Sequence, residues 1–203
     1  MLVLGIDTSF YYLTIVLIKD DEIVEKVYEP CQRHQSELLV GRISEIFQRR
    51  HLDSGALDAI VITKGPGSYT GVRIAMTFAK IYCSQNPTKL YTISSLQLYS
   101  GLKNSLVILD ARAERCFLGV YSQGGALQDD GIIPNDQLAT VLSKYPDYTL
   151  YGDLNLIAKE KEFSDISANF LLLKEKWELV IDVHQLKPQY LKEQSAYGNN
   201  QKC

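Results

Sequence analysis

Lys64-Gly65-Pro66-Gly67-Ser68-Tyr69-Thr70-Gly71-Val72-Arg73 is the most distinctive stretch of the chain. It follows Ala59-Ile60-Val61-Ile62, a short apolar run of the kind that forms a buried strand. Two glycines around a proline turn the chain tightly. From Thr70 to Ser84 the apolar residues return at helical spacing. Strand, tight corner and helix together point to an α/β fold. Two readings of the corner stand side by side. The unpaired N–H groups that open a helix can receive a phosphate or a carboxylate. Equally, the glycines can serve a close-packed strand-to-helix corner that other residues resist. A Walker loop is excluded, since that needs Gly-x-x-x-x-Gly-Lys.

Upstream, Leu2 to Ile6 and Leu13 to Ile18 read as strands, and Ile23 to Tyr28 alternates as a half-buried third. Asp7-Thr8-Ser9 and Lys19-Asp20-Asp21-Glu22 supply the turns. Pro30 ends the extended segment, and Leu39, Ile43, Ile46 and Phe47 mark a helix between Gln35 and Arg50. Downstream the plan recurs. An offset of 103 positions carries Asp7 onto Asp110, Leu13 onto Cys116 and Asp21 onto Gly124. Asn135 then opens a short helix towards Ser143, and Tyr148 to Tyr151 is a further strand. The expectation is two related β-β-β-α-β-α lobes, residues 1–103 and 104–203, with the boundary near Gly101 to Ser105.

The composition excludes several classes. Of 203 residues, 46% are hydrophobic and 22% charged, the balance of a globular protein and not of a disordered one. The net charge of −3 argues against autonomous nucleic-acid binding, which rests on clustered Lys and Arg. No apolar run approaches the ~20 residues of a membrane span. The first residues carry no basic leader, so a cytoplasmic location is expected. Cys31, Cys83, Cys116 and Cys203 are widely spaced, as are His34, His51 and His184, so no zinc motif arises and the thiols suit a reducing compartment.

Three groups of residues invite chemistry. Asp7, Thr8 and Ser9 form a turn whose carboxylate and hydroxyls can hold a hydrated magnesium ion or simply favour a turn. With Asp110, they define a candidate vestigial nucleotide cleft, and a small phosphotransferase or ATPase using Asp7 and Asp110 around Mg-ATP is the alternative function. On the helix after the corner, Val72, Ala75, Met76, Ala79 and Tyr82 form one apolar stripe, and Ile74, Phe78 and Ile81 form a second. A helix apolar on two sides needs two burial partners. Val40, Ile43 and Phe47 of the preceding helix can cover part of the second stripe. What remains is either buried within one molecule or an exposed patch that marks an interface.

Ile6-Asp7-Thr8-Ser9, the corner from Gly65 to Ile74, Ser94-Ser95-Leu96, Asp110-Ala111-Arg112 and Pro188-Gln189-Tyr190-Leu191 together resemble the TsaB (YeaZ) family, in its order and over most of the chain. The resemblance is thin between Asn135 and Lys187. It implies the two-lobed, actin-like ATPase fold of the acetate kinase, sugar kinase, Hsp70 and actin (ASKHA) superfamily, an RNase H-like design. It implies a role in making N6-threonylcarbamoyladenosine at position 37 of tRNA, as a subunit that pairs with TsaD and is joined by the ATPase TsaE. TsaD carries two metal-binding histidines spaced i, i+4. Ser95 and Tyr99 stand at those places here, and neutral hydroxyls are poor ligands beside imidazole. The loop Asp110-Ala111-Arg112-Ala113-Glu114-Arg115 lacks the glycines of a second phosphate loop. A metallopeptidase reading would require a bound metal. The expectation is therefore a subunit without catalytic residues, metal or cofactor. It would pair with TsaD through Val40, Ile43, Phe47, Ile74, Phe78 and Ile81, self-associate through the same face when alone, and meet tRNA only through the complex.

Overall fold

The computed structural model describes residues 1–31, 34–163 and 165–191. The chain opens with strands β1 (Leu2–Asp7), β2 (Tyr12–Lys19) and β3 (Glu22–Pro30), then helix α1 (Gln35–Arg49), β4 (Ala59–Thr63), α2 (Tyr69–Gln85), β5 (Lys89–Ile93) and the short α3 (Ser95–Ser100). It continues with β6 (Ser105–Arg112), β7 (Arg115–Ser122), β8 (Gly125–Ala126), β9 (Gly131–Pro134), α4 (Leu138–Leu142), β10 (Thr149–Gly152), α5 (Ser167–Leu172) and β11 (Glu178–Leu179).

Two sheets result. The first runs β11-β5-β4-β1-β2-β3. Its first three strands form an antiparallel meander, and β4 and β5 lie parallel to β1 after helical crossovers. A meander followed by parallel strands on the other side of β1 is the RNase H-like order. The second sheet runs β10-β6-β7-β8, with β9 also on β7. There β6 and β7 repeat β1 and β2, and β10 lies parallel to β6 as β4 does to β1. The repeat read from the sequence is visible in the strand starts: Leu2, Tyr12 and Glu22 correspond to Ser105, Arg115 and Gly125. The second copy is reduced. Its third strand is split into β8 and β9, and α4 has 5 residues where α1 has 15.

Strand periodicity explains the layers. Successive residues of a strand point to opposite faces. Leu4 and Ile6 of β1 join Leu13, Ile15 and Leu17 of β2 in a core covered by α1 and α2. Val3, Val16 and Val61 face the other way. There they meet Val107, Leu109 and Tyr121 of the second sheet, with Leu96 of α3 and Phe170 of α5 filling the space between. Leu106, Ile108 and Leu118 face outwards under α4. Both sheets are thus buried on both faces, which is why their strands read as continuous apolar runs.

Part of the expected second lobe returns to the first. Residues Glu178–Leu179 add an edge strand to β5, and Val180, Val183 and Leu186 pack on the first core. Lys80 Nζ on α2 donates to the carbonyls of His184 and Leu186, at 2.9 and 3.1 Å. Gln189 N–H donates to Lys64 O at 2.7 Å, which brings the chain back to the corner. Cys203 lies outside the described residues.

Candidate functional site

The glycine-proline corner is a structural joint. Gly71, in the first turn of α2, lies against the Asp7-Thr8-Ser9 turn so closely that a Cβ there would sit 2.2 Å from Thr8 O. Thr8 Oγ1 donates to Gly71 O at 2.7 Å and accepts from the Ala75 N–H at 3.3 Å. The Ser68 N–H donates to Ser9 O at 2.8 Å, and Ser68 Oγ caps the helix by accepting from the Gly71 N–H at 3.3 Å. Gly65 has φ +104°, a left-handed geometry that favours glycine, and Gln189 O lies 2.9 Å from where its Cβ would be. Of the two readings of this corner, packing prevails over anion binding, because the helix start is pressed on a turn of the same chain.

The nucleotide-cleft residues are sealed in part and dispersed in part. Asp7, Thr8 and Ser9 are all 0% exposed. Asp7 Oδ1 accepts from the Ser9 N–H at 3.1 Å and from Thr63 Oγ1 at 2.6 Å, and burial nevertheless pushes its carboxyl above the ordinary range. Phe10, the next residue, packs edge-on against Tyr99 and Phe117 at 5.9 and 6.5 Å between ring centres. Tyr99 also meets Phe163, as does Tyr11. These rings, from the β1–β2 turn, α3, β7 and the segment before α5, lie between the two lobes beside the buried turn. Asp110 is exposed instead, and its Oδ1 accepts from the Arg112 N–H at 2.7 Å in a turn where Arg112, Ala113 and Glu114 all have positive φ. A fully buried carboxyl, held by Ser9 and Thr63 beside an aromatic plug, does not fit a magnesium-bound nucleotide. Ser95 and Tyr99 do not fit a metal either. Both are buried on α3, and Tyr99 is committed to ring packing. Among the described residues no group of three or more His, Cys, Asp or Glu could hold an ion.

The six interface candidates converge. Helices α1 and α2 run side by side on the first sheet with a groove between them, largely apolar in one half and lined also by Gln48, His51, Asp53 and Asn86 in the other. It consists of two adjoining hollows of about 720 and 950 Å³ that share Val40, Phe78, Tyr82 and Gln85. Val40 and Ile81 stand 60% and 54% exposed. Phe47, Ile74 and Phe78 are half-buried in the walls. Ile43 differs from the expectation: it is 5% exposed and belongs to the core under the groove. It sits at the floor of the groove, where it also lines the second hollow. The charges of α1 are drawn away from the groove. Arg42 makes a paired contact with Glu29 on β3, at 2.8 and 3.0 Å, and Arg50 donates to Glu25 at 2.9 Å. Leu39, Tyr69 and Tyr82 also line the groove, and were not singled out as interface residues from sequence. Tyr190 stacks on Tyr69 at one end, 5.5 Å between ring centres. The late Pro-Gln-Tyr-Leu motif was the only sequence signal for that contact.

Comparisons with known proteins bear on this arrangement. The model of the TsaD family, tRNA N6-adenosine threonylcarbamoyltransferase, matches residues 25–184. The Bacillus subtilis tRNA threonylcarbamoyladenosine biosynthesis protein TsaB is 29% identical over 68% of this chain and 62% of its own length. The chain belongs to the TsaD-type family, within its TsaB (YeaZ) group. YeaZ from Pseudomonas aeruginosa superposes with a TM-score of 0.74 over 94% of this chain and 99% of that one; at 18% identity the likeness is one of fold. A Mycoplasma pneumoniae protein is 24% identical over 94% of both chains. The two-lobed fold is thus that of the TsaB group. Among the described residues no helix is long and apolar enough to cross a membrane.

Proposed function

We propose that this chain serves tRNA N6-threonylcarbamoyladenosine biosynthesis as a non-catalytic TsaB-type subunit that docks on a TsaD-type subunit through the α1–α2 groove. The observation that carries this reading is the groove itself. It is a largely apolar surface formed by two long helices, with Val40 and Ile81 left open to solvent. The ligand positions of the related catalyst support it, being filled by Ser95 and Tyr99 inside the packed core. In this reading residues 1–103 form the docking lobe and 104–203 a reduced second lobe whose end straps back on the first. The pair then provides the surface on which TsaE assembles, tRNA is met through the complex, and the protein works in the cytoplasm. The same groove supports self-association when the partner is absent.

Reconstitution tests the proposal. The purified chain, the TsaD-type and TsaE-type subunits of the same organism, threonylcarbamoyl-AMP and unmodified tRNA are combined. Modification is expected to require this chain and to be lost with Val40→Asp, which places a charge in the groove without touching the core. Equal modification without the chain, or turnover of Mg-ATP by the chain alone, would contradict the non-catalytic role.

A further inference from the structure

One half of the groove holds a single fully charged side chain, Arg73, in an otherwise neutral and largely apolar lining. Its guanidinium is held in place. The plane lies over the Tyr69 ring, 3.9 Å from the ring centre, and Nε donates to Tyr190 Oη at 3.0 Å. Tyr69 and Tyr190 are themselves stacked, 21° from parallel, and are 58% and 54% exposed. Tyr69 and Arg73 share α2 and Tyr190 comes from the C-terminal strap, so two distant parts of the chain fix one cation. This contact engages Nε, and among the described residues neither nitrogen of the Nη1 and Nη2 fork has a hydrogen-bond partner. Among the described residues no carboxylate lies within ion-pair range of Arg73.

A partner that covers this half of the groove removes water from the fork. An uncompensated buried guanidinium is costly, whereas a carboxylate can accept two parallel hydrogen bonds from it. Arginine framed by tyrosines is also the composition of interface hot spots, where a pre-ordered side chain gives up little freedom on binding. We infer that Arg73 is the charged anchor of the groove and that the docking partner presents an Asp or Glu to it from within an apolar face. Tyr190 is the positioning residue that aims the fork. This rests on the groove being the docking face for the TsaD-type subunit, and it specifies the chemistry of that partner. A second copy of this chain is the competing occupant, since Asp53 lines the far end of the groove.

Titration of the TsaD-type subunit of the same organism against wild type, Arg73→Gln, Arg73→Lys, Tyr190→Phe and Val40→Asp tests the inference. Each is measured at low and high salt, with a thermal melt to confirm folding. Arg73→Gln is expected to weaken binding at least tenfold and to flatten its salt dependence. Arg73→Lys should recover only part of the affinity, because an ammonium cannot form the fork. Tyr190→Phe should weaken binding less than Arg73→Gln does. Wild-type affinity and salt dependence in Arg73→Gln, with Val40→Asp abolishing binding, would overturn the anchor and leave the groove reading intact. Unchanged binding by Val40→Asp would overturn the groove reading itself. If Arg73→Gln and Asp53→Asn impair self-association but not pairing with the TsaD-type subunit, the anchor serves a second copy and the inference fails.

Discussion

Gly71 shows how one residue can set the relation between a strand turn and a helix. Helix propensity favours alanine over glycine by about 1 kcal/mol. A Cβ at 2.2 Å from Thr8 O opposes this, and the clash is with backbone held by the hydrogen bonds of Thr8 and Ser9, so it cannot be relieved by a side-chain rotation. Overpacking of this kind costs about 1–3 kcal/mol. Gly71→Ala is therefore expected to destabilise, and a shift of its urea midpoint upwards would contradict the joint. Asp7 gives a pH-dependent case. Burial raises its folded-state carboxyl above the unfolded value, so the unfolded chain ionises first as pH rises. Its contribution to stability is present in full below the ordinary carboxylate range and is lost as pH climbs through the raised value. Asp7→Asn keeps an acceptor for Ser9 and Thr63 without the ionisation. It should be at least as stable as wild type at neutral pH, with a flatter dependence on the acid side. A variant that loses stability at neutral pH would show that the ionised carboxylate is needed.

At the scale of elements, α1 and α2 each serve a sheet and a groove, and Ile43 marks the division between the two. Ile43→Asp places an unpaired charge in the core and should cost on the order of 4 kcal/mol, seen as a lowered melting temperature. Val40→Asp, at a position 60% exposed, should leave the melt near wild type. Similar melts for both would mean that the floor of the groove is not core. The two helices and the long strands were legible in the sequence because their apolar spacing runs over several turns or a complete buried run. Ile43 lies deeper than expected because helical spacing alone gives an angle around the axis and not a depth. β8, β9, α3 and α5 were not read as they stand, being too short for periodicity and fixed by contacts made elsewhere. The strap had even less signal. Its strand has two residues, and its hold on α2 comes from carbonyls gripped by Lys80.

For the whole molecule, duplication and sharing pull in different directions. Two sheets of related order suggest two units, yet Val3, Val61, Val107, Leu109 and Phe170 lie in one continuous core between them. Ser94 on the first lobe and Tyr121 on the second also both donate to the half-buried Asp130 carboxylate. Unfolding should therefore be a single cooperative transition, with far-ultraviolet and near-ultraviolet dichroism melting together. Two separated transitions would mean that the lobes are independent. The aromatic plug of Phe10, Tyr99, Phe117 and Phe163 was invisible to sequence reading for a related reason. Its members are scattered along the chain and meet only when the lobes close. The candidate nucleotide residues looked plausible in isolation because a turn of Asp, Thr and Ser is compatible with ligand binding or with packing, and only the surroundings decide.

The most direct measurement is amide hydrogen exchange of the chain, alone and with the TsaD-type subunit of its own organism. Slowed exchange concentrated in peptides from α1, α2 and the Tyr190 end of the strap is the expected result. Unchanged exchange there, with protection appearing over the second sheet and α4, would contradict the groove as the docking face.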